Sequence, residues 1–185
     1  GSLMAYATGD VTMTDCRNAA EGHGAGSGTY LGGLMGKSLG GSVTMSRCMN
    51  QGDLQTESNY AAGLLVDFSS GSSGKLSVSD CGNTGAQAAN AGVAGLVVNM
   101  RTNSPDAGAL SIVNSYNFGP GTETGVMEMT NGAIYGGVSS GNLLVSNCYY
   151  NSTIEGHNDG GATPKTPVEF ASGEVAWLLN AASAE

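Results

Sequence analysis

The sequence predicts an all-β fold, a right-handed parallel β-helix (β-solenoid) of about five coils with a short C-terminal helical cap. The first observation is a repeat: the pattern apolar, any, apolar, any, any, Cys, any, Asn occurs in near-copies that start 32 to 34 residues apart, at Val11, Val43, Leu76, Leu110 and Leu143. A fixed period of this size is typical of stacked repeat architectures. The second observation is composition: 31 glycines and only 11% charged residues accompany 40% hydrophobic residues, as in a turn-rich solenoid.

Each repeat core is predicted to be two short strands joined by a bend. In the third copy Leu76 and Val78 are two residues apart and face one side of an extended segment. Cys81 follows Val78 by three, so a bend or bulge at Ser79-Asp80 is expected to return Cys81 and Asn83 to the interior. Copies stacked in register form ladders with rungs about 4.8 Å apart. The expected interior residues are Val43, Met45, Leu76, Val78, Cys81, Leu110, Ile112, Leu143 and Val145.

The segments between the repeat cores contain a second recurrence. The segment from Tyr30 to Gly36 resembles the segments from Tyr60 to Val66 and from Val93 to Val98, all of them short apolar runs bounded by glycine or serine. They predict another strand on a different face of the coil, so that each period is one turn with two or more strands. The predicted organisation is residues 1–158 as repeats of about 33 residues and residues 159–185 as a C-terminal loop and helical cap.

These residues resemble the GLUG repeat of bacterial surface proteins. The resemblance is carried by Gly32-Gly33-Leu34-Met35-Gly36 and Asn147-Cys148-Tyr149-Tyr150-Asn151, with a variant at Asn114-Ser115-Tyr116-Asn117. It covers roughly Val11 to Asn151 and implies turns of a right-handed parallel β-helix in a large secreted or wall-attached bacterial protein, with no catalytic residues to carry over. Ser115 departs from the pattern by replacing the cysteine, and Tyr150 lies where asparagine is expected.

The tail changes character after Asn158. Thr166-Pro167-Val168-Glu169 is a capping box with proline at the first helical position, which predicts a helix start, and Ser172-Gly173-Glu174 predicts a second one. An apolar face is expected from Phe170, Val175, Leu178 and Leu179. We expect this tail to cover the open end of the last coil, where unpaired strand edges would promote aggregation. The alternative is a linker to another domain.

The four cysteines predict a ladder of buried thiols. Cys16, Cys48, Cys81 and Cys148 are 32, 33 and 67 residues apart, unlike the close pairs of zinc sites. Small buried thiols pack well in a core, and Ser115 at the remaining rung favours a packing role. Rungs about 4.8 Å apart also fit the Cα separation of a disulfide, so paired cysteines are the alternative.

A second ladder is expected from Asn18, Asn50, Asn83 and Asn117. The side-chain amide both donates and accepts, so each asparagine can bond its neighbour along the stack and satisfy buried polar groups. The alternative is that asparagine simply tolerates turn dihedral angles.

Charge and motif content exclude several function classes. A net charge of −9 with six scattered basic residues is unsuited to nucleic acid or to an anionic membrane surface, and no apolar run is long enough to span a bilayer. Among the acids nearest the repeat cores, Asp15 and Asp80 align with Arg47, Asn114 and Asn147, so no catalytic carboxylate pair recurs. The loop at 155–159 lacks the alternating acids of a calcium site. We predict no enzyme activity, no metal and no cofactor.

The predicted function is that of a non-catalytic repeat segment of a bacterial secreted or cell-surface protein, acting as a stalk or adhesive scaffold. The alternative is a substrate-binding segment of a secreted peptidase or glycan-processing enzyme. The expected location is extracellular or the bacterial cell surface, with further domains of a parent chain as neighbours and a host or bacterial glycan or surface protein as partner. The candidate binding residues are Tyr30 and Tyr60, at equivalent places on neighbouring coils, and Tyr149 and Tyr150. Exposed rings offer flat faces for sugars, whereas buried rings fill the core.

Overall fold

The structure, a computed structural model, describes residues 3–57, 59–71, 73–123, 131–154 and 160–182. Over these residues the chain is an all-β parallel solenoid of about four turns, followed by a short helical tail. The predicted boundary between repeats and tail, at 158/159, and the loop at 155–159 lie outside the described residues.

The strands follow one another in the same order in each turn. The first turn contains β1 (Met4–Ala7), β2 (Val11–Thr14), β3 (Arg17–Asn18), β4 (Gly22–Gly24) and β5 (Tyr30–Gly32). The second contains β6 (Met35–Leu39), β7 (Val43–Ser46), β8 (Met49–Asn50), β9 (Leu54–Thr56) and β10 (Tyr60–Ala62). The third contains β11 (Leu65–Ser69), β12 (Leu76–Ser79), β13 (Gly82–Asn83), β14 (Gln87–Ala89) and β15 (Gly92–Ala94). The fourth contains β16 (Val97–Arg101), β17 (Leu110–Val113), β18 (Tyr116–Asn117) and β19 (Gly121–Glu123).

The remaining elements are a partial fifth turn and the tail. The partial turn contains β20 (Tyr135–Ser140), β21 (Leu143–Ser146) and β22 (Tyr149–Asn151). The tail contains β23 (Thr163–Lys165) and the helices α1 (Pro167–Ala171) and α2 (Glu174–Ala182).

Equivalent strands stack in parallel into five sheets, which we name A to E in the order in which the chain visits them. Sheet A is β1-β6-β11-β16-β20, sheet B is β2-β7-β12-β17-β21, sheet C is β3-β8-β13-β18-β22-β23, sheet D is β4-β9-β14-β19 and sheet E is β5-β10-β15. The prediction of five coils was slightly too high. All five repeat cores are present as the strands of sheet B. The fifth turn, however, ends in sheet C, so the fifth core does not belong to a complete coil.

The predicted bend between the two halves of each repeat core is a single residue in the left-handed backbone region. Its φ angle is 56° at Asp15, 52° at Arg47, 54° at Asp80, 49° at Asn114 and 48° at Asn147. Asp and Asn tolerate this region better than most other residues, which explains four of the five identities. We call these five residues the corner ladder.

The core predictions are confirmed in the middle of the stack. Seven of the nine expected interior residues are completely buried, from Val43 through Ile112. Leu143 and Val145 are only partly buried, although both pack against the same core. They belong to β21, the last strand of sheet B, which has a neighbouring strand on one side only.

The asparagine ladder, Asn18, Asn50, Asn83 and Asn117, is confirmed as a chain of hydrogen bonds. In each of the first three, Nδ2 donates to the Oδ1 of the next asparagine, at 2.8, 2.8 and 2.7 Å. Each Nδ2 also donates to the backbone carbonyl two residues further on, at 2.9 to 3.1 Å. All four side chains are buried, so these bonds satisfy polar groups that water cannot reach.

The glycines of the second recurrence leave room for the asparagine ladder. A Cβ at Gly33, Gly63 or Gly95 would lie 2.3 to 2.7 Å from an atom of Asn50, Asn83 or Asn117. No Cβ makes contacts this short, so the backbone between sheets E and A reaches the ladder only where it lacks a side chain. This close approach separates the main core from a smaller cluster formed by Leu31, Leu54, Ala61, Ala89 and Val93.

The thiol ladder consists of free cysteines, as predicted, with Ser115 in the fourth rung. Cys48, Cys81 and Cys148 are buried as expected, whereas Cys16, in the first turn, is only partly buried. The Sγ of Cys48, Cys81 and Cys148 donates to the carbonyl two residues earlier, at 3.1 to 3.3 Å, and the Oγ of Ser115 does the same at 2.7 Å. Each of these bonds spans the corner residue. The thiols therefore fill the core and also satisfy a carbonyl at the bend.

The tail occupies a different place from the one predicted. Only β23 covers a strand edge, by pairing with β22 at the end of sheet C. The helices lie beside sheet C, where the ring of Phe170 is 5.1 Å from that of Phe118 and 6.2 Å from that of Tyr116. The predicted capping box is confirmed, since Thr166 and Glu169 each bond the other's backbone N–H. The side of sheet C offers the rings of Phe118 and Tyr116, on which Phe170 packs.

Candidate functional site

The corner ladder forms a polar row along the junction of sheets B and C. The guanidinium of Arg47 donates to both carboxylate oxygens of Asp15, at 2.7 and 2.9 Å. Asn114 donates through Nδ2 to Asp80, and Asn147 donates to Asn114 at 2.5 Å. The hydrogen bond from Arg47 lowers the pKa of Asp15, so this carboxyl stays ionised and paired. One positive charge therefore lies between two negative ones on adjacent turns.

Tyr30 and Tyr60 lie together, as predicted from their equivalent positions. They are register partners in sheet E, and their ring centroids are 5.7 Å apart at an interplanar angle of 44°. Lys37 lies over the Tyr30 ring, 4.6 Å from its centroid, and forms a 2.8 Å ion pair with Asp67. Both rings are half-buried against the apolar cluster Ala62, Val66, Ala94 and Val98. The two rings cover the outer surface where sheet E meets sheet A.

Tyr149 and Tyr150 lie in sheet C, away from the first pair, and point to opposite sides of β22. Tyr149 is 8% exposed and its hydroxyl donates to the Oδ1 of Asn147 at 2.7 Å. Tyr150 packs against the main core at the position of Asn117 in the preceding turn. Neither ring presents an open face of the kind that sugars require.

The structure reveals a cavity that the sequence did not indicate, and we call it the tail groove. It has a volume of about 450 Å³ and lies where α2 passes beside the corner ladder. The corner ladder contributes Arg47, Asp80 and Asn114, sheet C contributes Tyr116, and α2 contributes Leu179 and Asn180. Its size falls within the roughly 300 to 1,000 Å³ of small-ligand sites.

Gly82 makes room for the ring of Tyr116, which lines the tail groove. The outward row of sheet C runs Arg17, Met49, Gly82, Tyr116 and Tyr149, so that Gly82 leaves a gap one turn before Tyr116. The Tyr116 ring leans into this gap, because a Cβ on Gly82 would lie 2.5 Å from its Cε1. Burial raises the pKa of Tyr116.

Tyr116 and Leu179 also border a second cavity, on their other side. This space of about 370 Å³ is lined mainly by apolar side chains of the tail and sheet C, among them Phe118, Phe170 and Val175. This second cavity follows the interface between the helices and the solenoid. Tyr116 therefore borders this apolar interface on one side and the polar tail groove on the other.

Two further classes of site are not found in the described part of the chain. No group of three or more His, Cys, Asp or Glu side chains lies close enough there to hold a metal ion. Within the same residues, neither helix has the length and apolar character needed to cross a bilayer.

A scan against protein-family models, a search of curated proteins and a search of solved structures each found no match to this chain. The resemblance to the GLUG repeat therefore stays a prediction that rests on the residues quoted for it.

Proposed function

We propose that this chain is a non-catalytic repeat segment of a bacterial secreted or cell-surface protein of the GLUG type, where it serves as a stalk or adhesive scaffold. The observation that carries the proposal is the asparagine ladder, whose buried hydrogen bonds join four successive turns. A stalk has to transmit force without bending, and turns bonded through their interior resist both slip and separation. We further propose that the coil is right-handed, because parallel strand connections have that hand in about 98% of cases.

The polar residues that a catalytic interpretation would use are engaged with one another. Asp15 accepts two hydrogen bonds from Arg47, and Asp80 accepts one from Asn114. This pairing supports a structural use of both acids. Turnover of any glycan or peptide that disappears in the Asp80→Asn variant would contradict a non-catalytic role.

Surface labelling tests the location. Antibodies raised against this chain should label intact cells of the source bacterium, or detect the protein in its culture medium, without permeabilisation. Signal that appears only after cell lysis would contradict a secreted or surface-attached scaffold. A cytoplasmic protein of the same bacterium serves as the lysis control.

A second candidate function is a substrate-binding segment of a secreted peptidase or glycan-processing enzyme. The observation that favours it is the tail groove, because a pure spacer needs no cavity of this size on its side. The two functions differ in the parent protein. If a catalytic domain adjoins this segment, deleting the segment should raise the KM of that domain for its polymer and leave kcat unchanged.

A further inference from the structure

We infer that the tail groove is the binding site of a neutral saccharide, with Tyr116 as the stacking ring and Asp80 and Asn180 as the hydroxyl-binding groups. The inference rests on the adhesive form of the proposed function. It moves the binding site from the four tyrosines predicted from the sequence to a different ring, one turn before Tyr149.

The wall chemistry of the groove matches the two surfaces of a pyranose ring. Tyr116 and Leu179 provide an aromatic ring and an aliphatic side chain on the solenoid and on the helix. The C–H face of a sugar packs on such surfaces, and an aromatic ring offers it a flat apolar area. The Tyr116 hydroxyl makes no hydrogen bond to another described residue, so it can bond a ligand.

The polar groups of the groove match hydroxyls. Asp80 supplies carboxylate acceptors, and Asn180 carries both an acceptor and a donor. Asn114 donates to Asp80 and accepts from Asn147, so it holds the carboxylate in place. A sugar hydroxyl also donates and accepts, so a planar amide or carboxylate can engage two neighbouring hydroxyls at once. Asp80 and Asn114 are held against each other by their own hydrogen bond and belong to adjacent turns. Their positions are therefore fixed before any ligand arrives, which lowers the entropic cost of binding.

Charge favours a neutral ligand over an anionic one. Arg47 is the cation that lines the groove, and both of its hydrogen bonds to Asp15 are already formed. Asp80 adds a negative charge, and the chain as a whole carries −9. A phosphate or sialic acid would meet a repulsive field and find the Arg47 guanidinium already engaged.

The test is an array of neutral and sialylated glycans probed with the whole chain, followed by titration of the best neutral glycan. We expect binding to weaken at least tenfold in the Tyr116→Ala and Asp80→Asn variants. Two control variants should bind like the wild type: Tyr149→Ala removes the ring one turn later in the same row, and Asp53→Asn changes an exposed acid outside the groove.

Tyr116 also packs on the tail, so a second variant separates recognition from folding. Asn180 is exposed on α2, and Asn180→Ala should weaken binding at least threefold while leaving the melting temperature unchanged. If Tyr116→Ala and Asn180→Ala bind normally and Tyr30→Ala loses binding, the tail groove is not the saccharide site. The proposed function as an adhesive scaffold would still stand. Binding only to sialylated glycans, or to no glycan at millimolar concentration, would also overturn the tail groove as the site of a neutral saccharide. The surface-labelling test of the scaffold is independent of these results.

Discussion

Asn50 and Asn83 are 33 positions apart in the chain, yet Nδ2 of Asn50 donates a 2.8 Å hydrogen bond to Oδ1 of Asn83. Both side chains are completely buried. The amide can join a stack in this way because it carries a donor and an acceptor on the same small group. This pair is the middle link of the asparagine ladder.

The first prediction concerns the ladder itself. Replacing Asn83 by alanine leaves the Nδ2 of Asn50 and the Oδ1 of Asn117 without their mutual partner in the core. The Asn50 amide keeps its bond to the Gly52 carbonyl, and the Asn117 oxygen keeps its bond from the Gly119 N–H. Four hydrogen bonds of the Asn83 side chain are lost, at about 0.5 to 1.5 kcal/mol each, so we expect Asn83→Ala to lower the free energy of unfolding by about 2 to 4 kcal/mol. Asn103→Ala, in an exposed loop, should change it by less than about 0.5 kcal/mol. Equal shifts in urea unfolding would refute the role of the ladder.

The second prediction concerns the close approach of glycine. A Cβ at Gly63 would lie 2.1 Å from the carbonyl oxygen of Gly95 and 2.7 Å from Cγ of Asn83. Gly63→Ala should therefore destabilise the fold by about 1 to 3 kcal/mol, the usual cost of overpacking. Gly71→Ala is the matched control, because no atom lies within 4 Å of its Cβ position. Thermal melting that ranks the two variants equally would show that the backbone can move away from the ladder.

The third prediction concerns the thiol ladder at alkaline pH. Burial raises the pKa of Cys148 to about 11, from an ordinary value of 9.0. Between these values the unfolded chain loses the proton while the folded chain keeps it, so the stability that this thiol contributes is complete below pH 9 and is lost towards pH 11. At about 1.4 kcal/mol per pKa unit the loss is about 2 to 3 kcal/mol.

Unfolding curves at about pH 8, 9, 10 and 11 measure this loss across the interval between the two pKa values. The Cys148→Ser variant, which repeats the serine that Ser115 places in the preceding rung, should lose less stability over the same range than the wild type does. Parallel curves for the two proteins would contradict a buried, protonated thiol. Titration of the unfolded, unreduced protein should find four free thiols, and finding none would contradict the free ladder.

The repeat cores and the second recurrence could be predicted because their physics is local and periodic. Leu76 pairs with Leu110, and Tyr30 pairs with Tyr60, as the spacing of the copies requires. A one-residue slip would place the apolar rows outside, so the pattern fixes the register. The number of turns was overestimated because a repeat core needs only sheets B and C, whereas a complete turn also needs sheets D and E.

The tail groove could not be predicted because it depends on contacts that follow no period. The outward residues of sheet C share no chemical character from turn to turn: an arginine, a methionine and a glycine precede Tyr116. The packing of Phe170 on Phe118 and Tyr116, together with the burial of Val175, brings α2 beside Asp80 and Asn114. An aromatic residue that follows a glycine in an outward row is the one signal that could have marked the place.

The fourth prediction tests how the tail is held. Phe170 packs on Phe118 and Tyr116, whereas Trp177 is 67% exposed on α2. Phe170→Ala should release the helices, so that backbone amides of α2 exchange with solvent at least tenfold faster while those of sheet B are unchanged. Trp177→Ala should leave both rates as in the wild type. If the two variants behave alike, the aromatic contact does not anchor the tail.

The measurement that tests the central claim most directly is hydrogen exchange of the asparagine side-chain amides, followed by NMR. The claim is that buried amides join successive turns, so the Nδ2 protons of Asn50 and Asn83 should exchange far more slowly than those of the exposed Asn103. We expect protection by at least a hundredfold, lost at the same denaturant concentration as the protection of sheet B. Exchange of the Asn50 and Asn83 side chains as fast as that of Asn103 in the native protein would contradict the ladder.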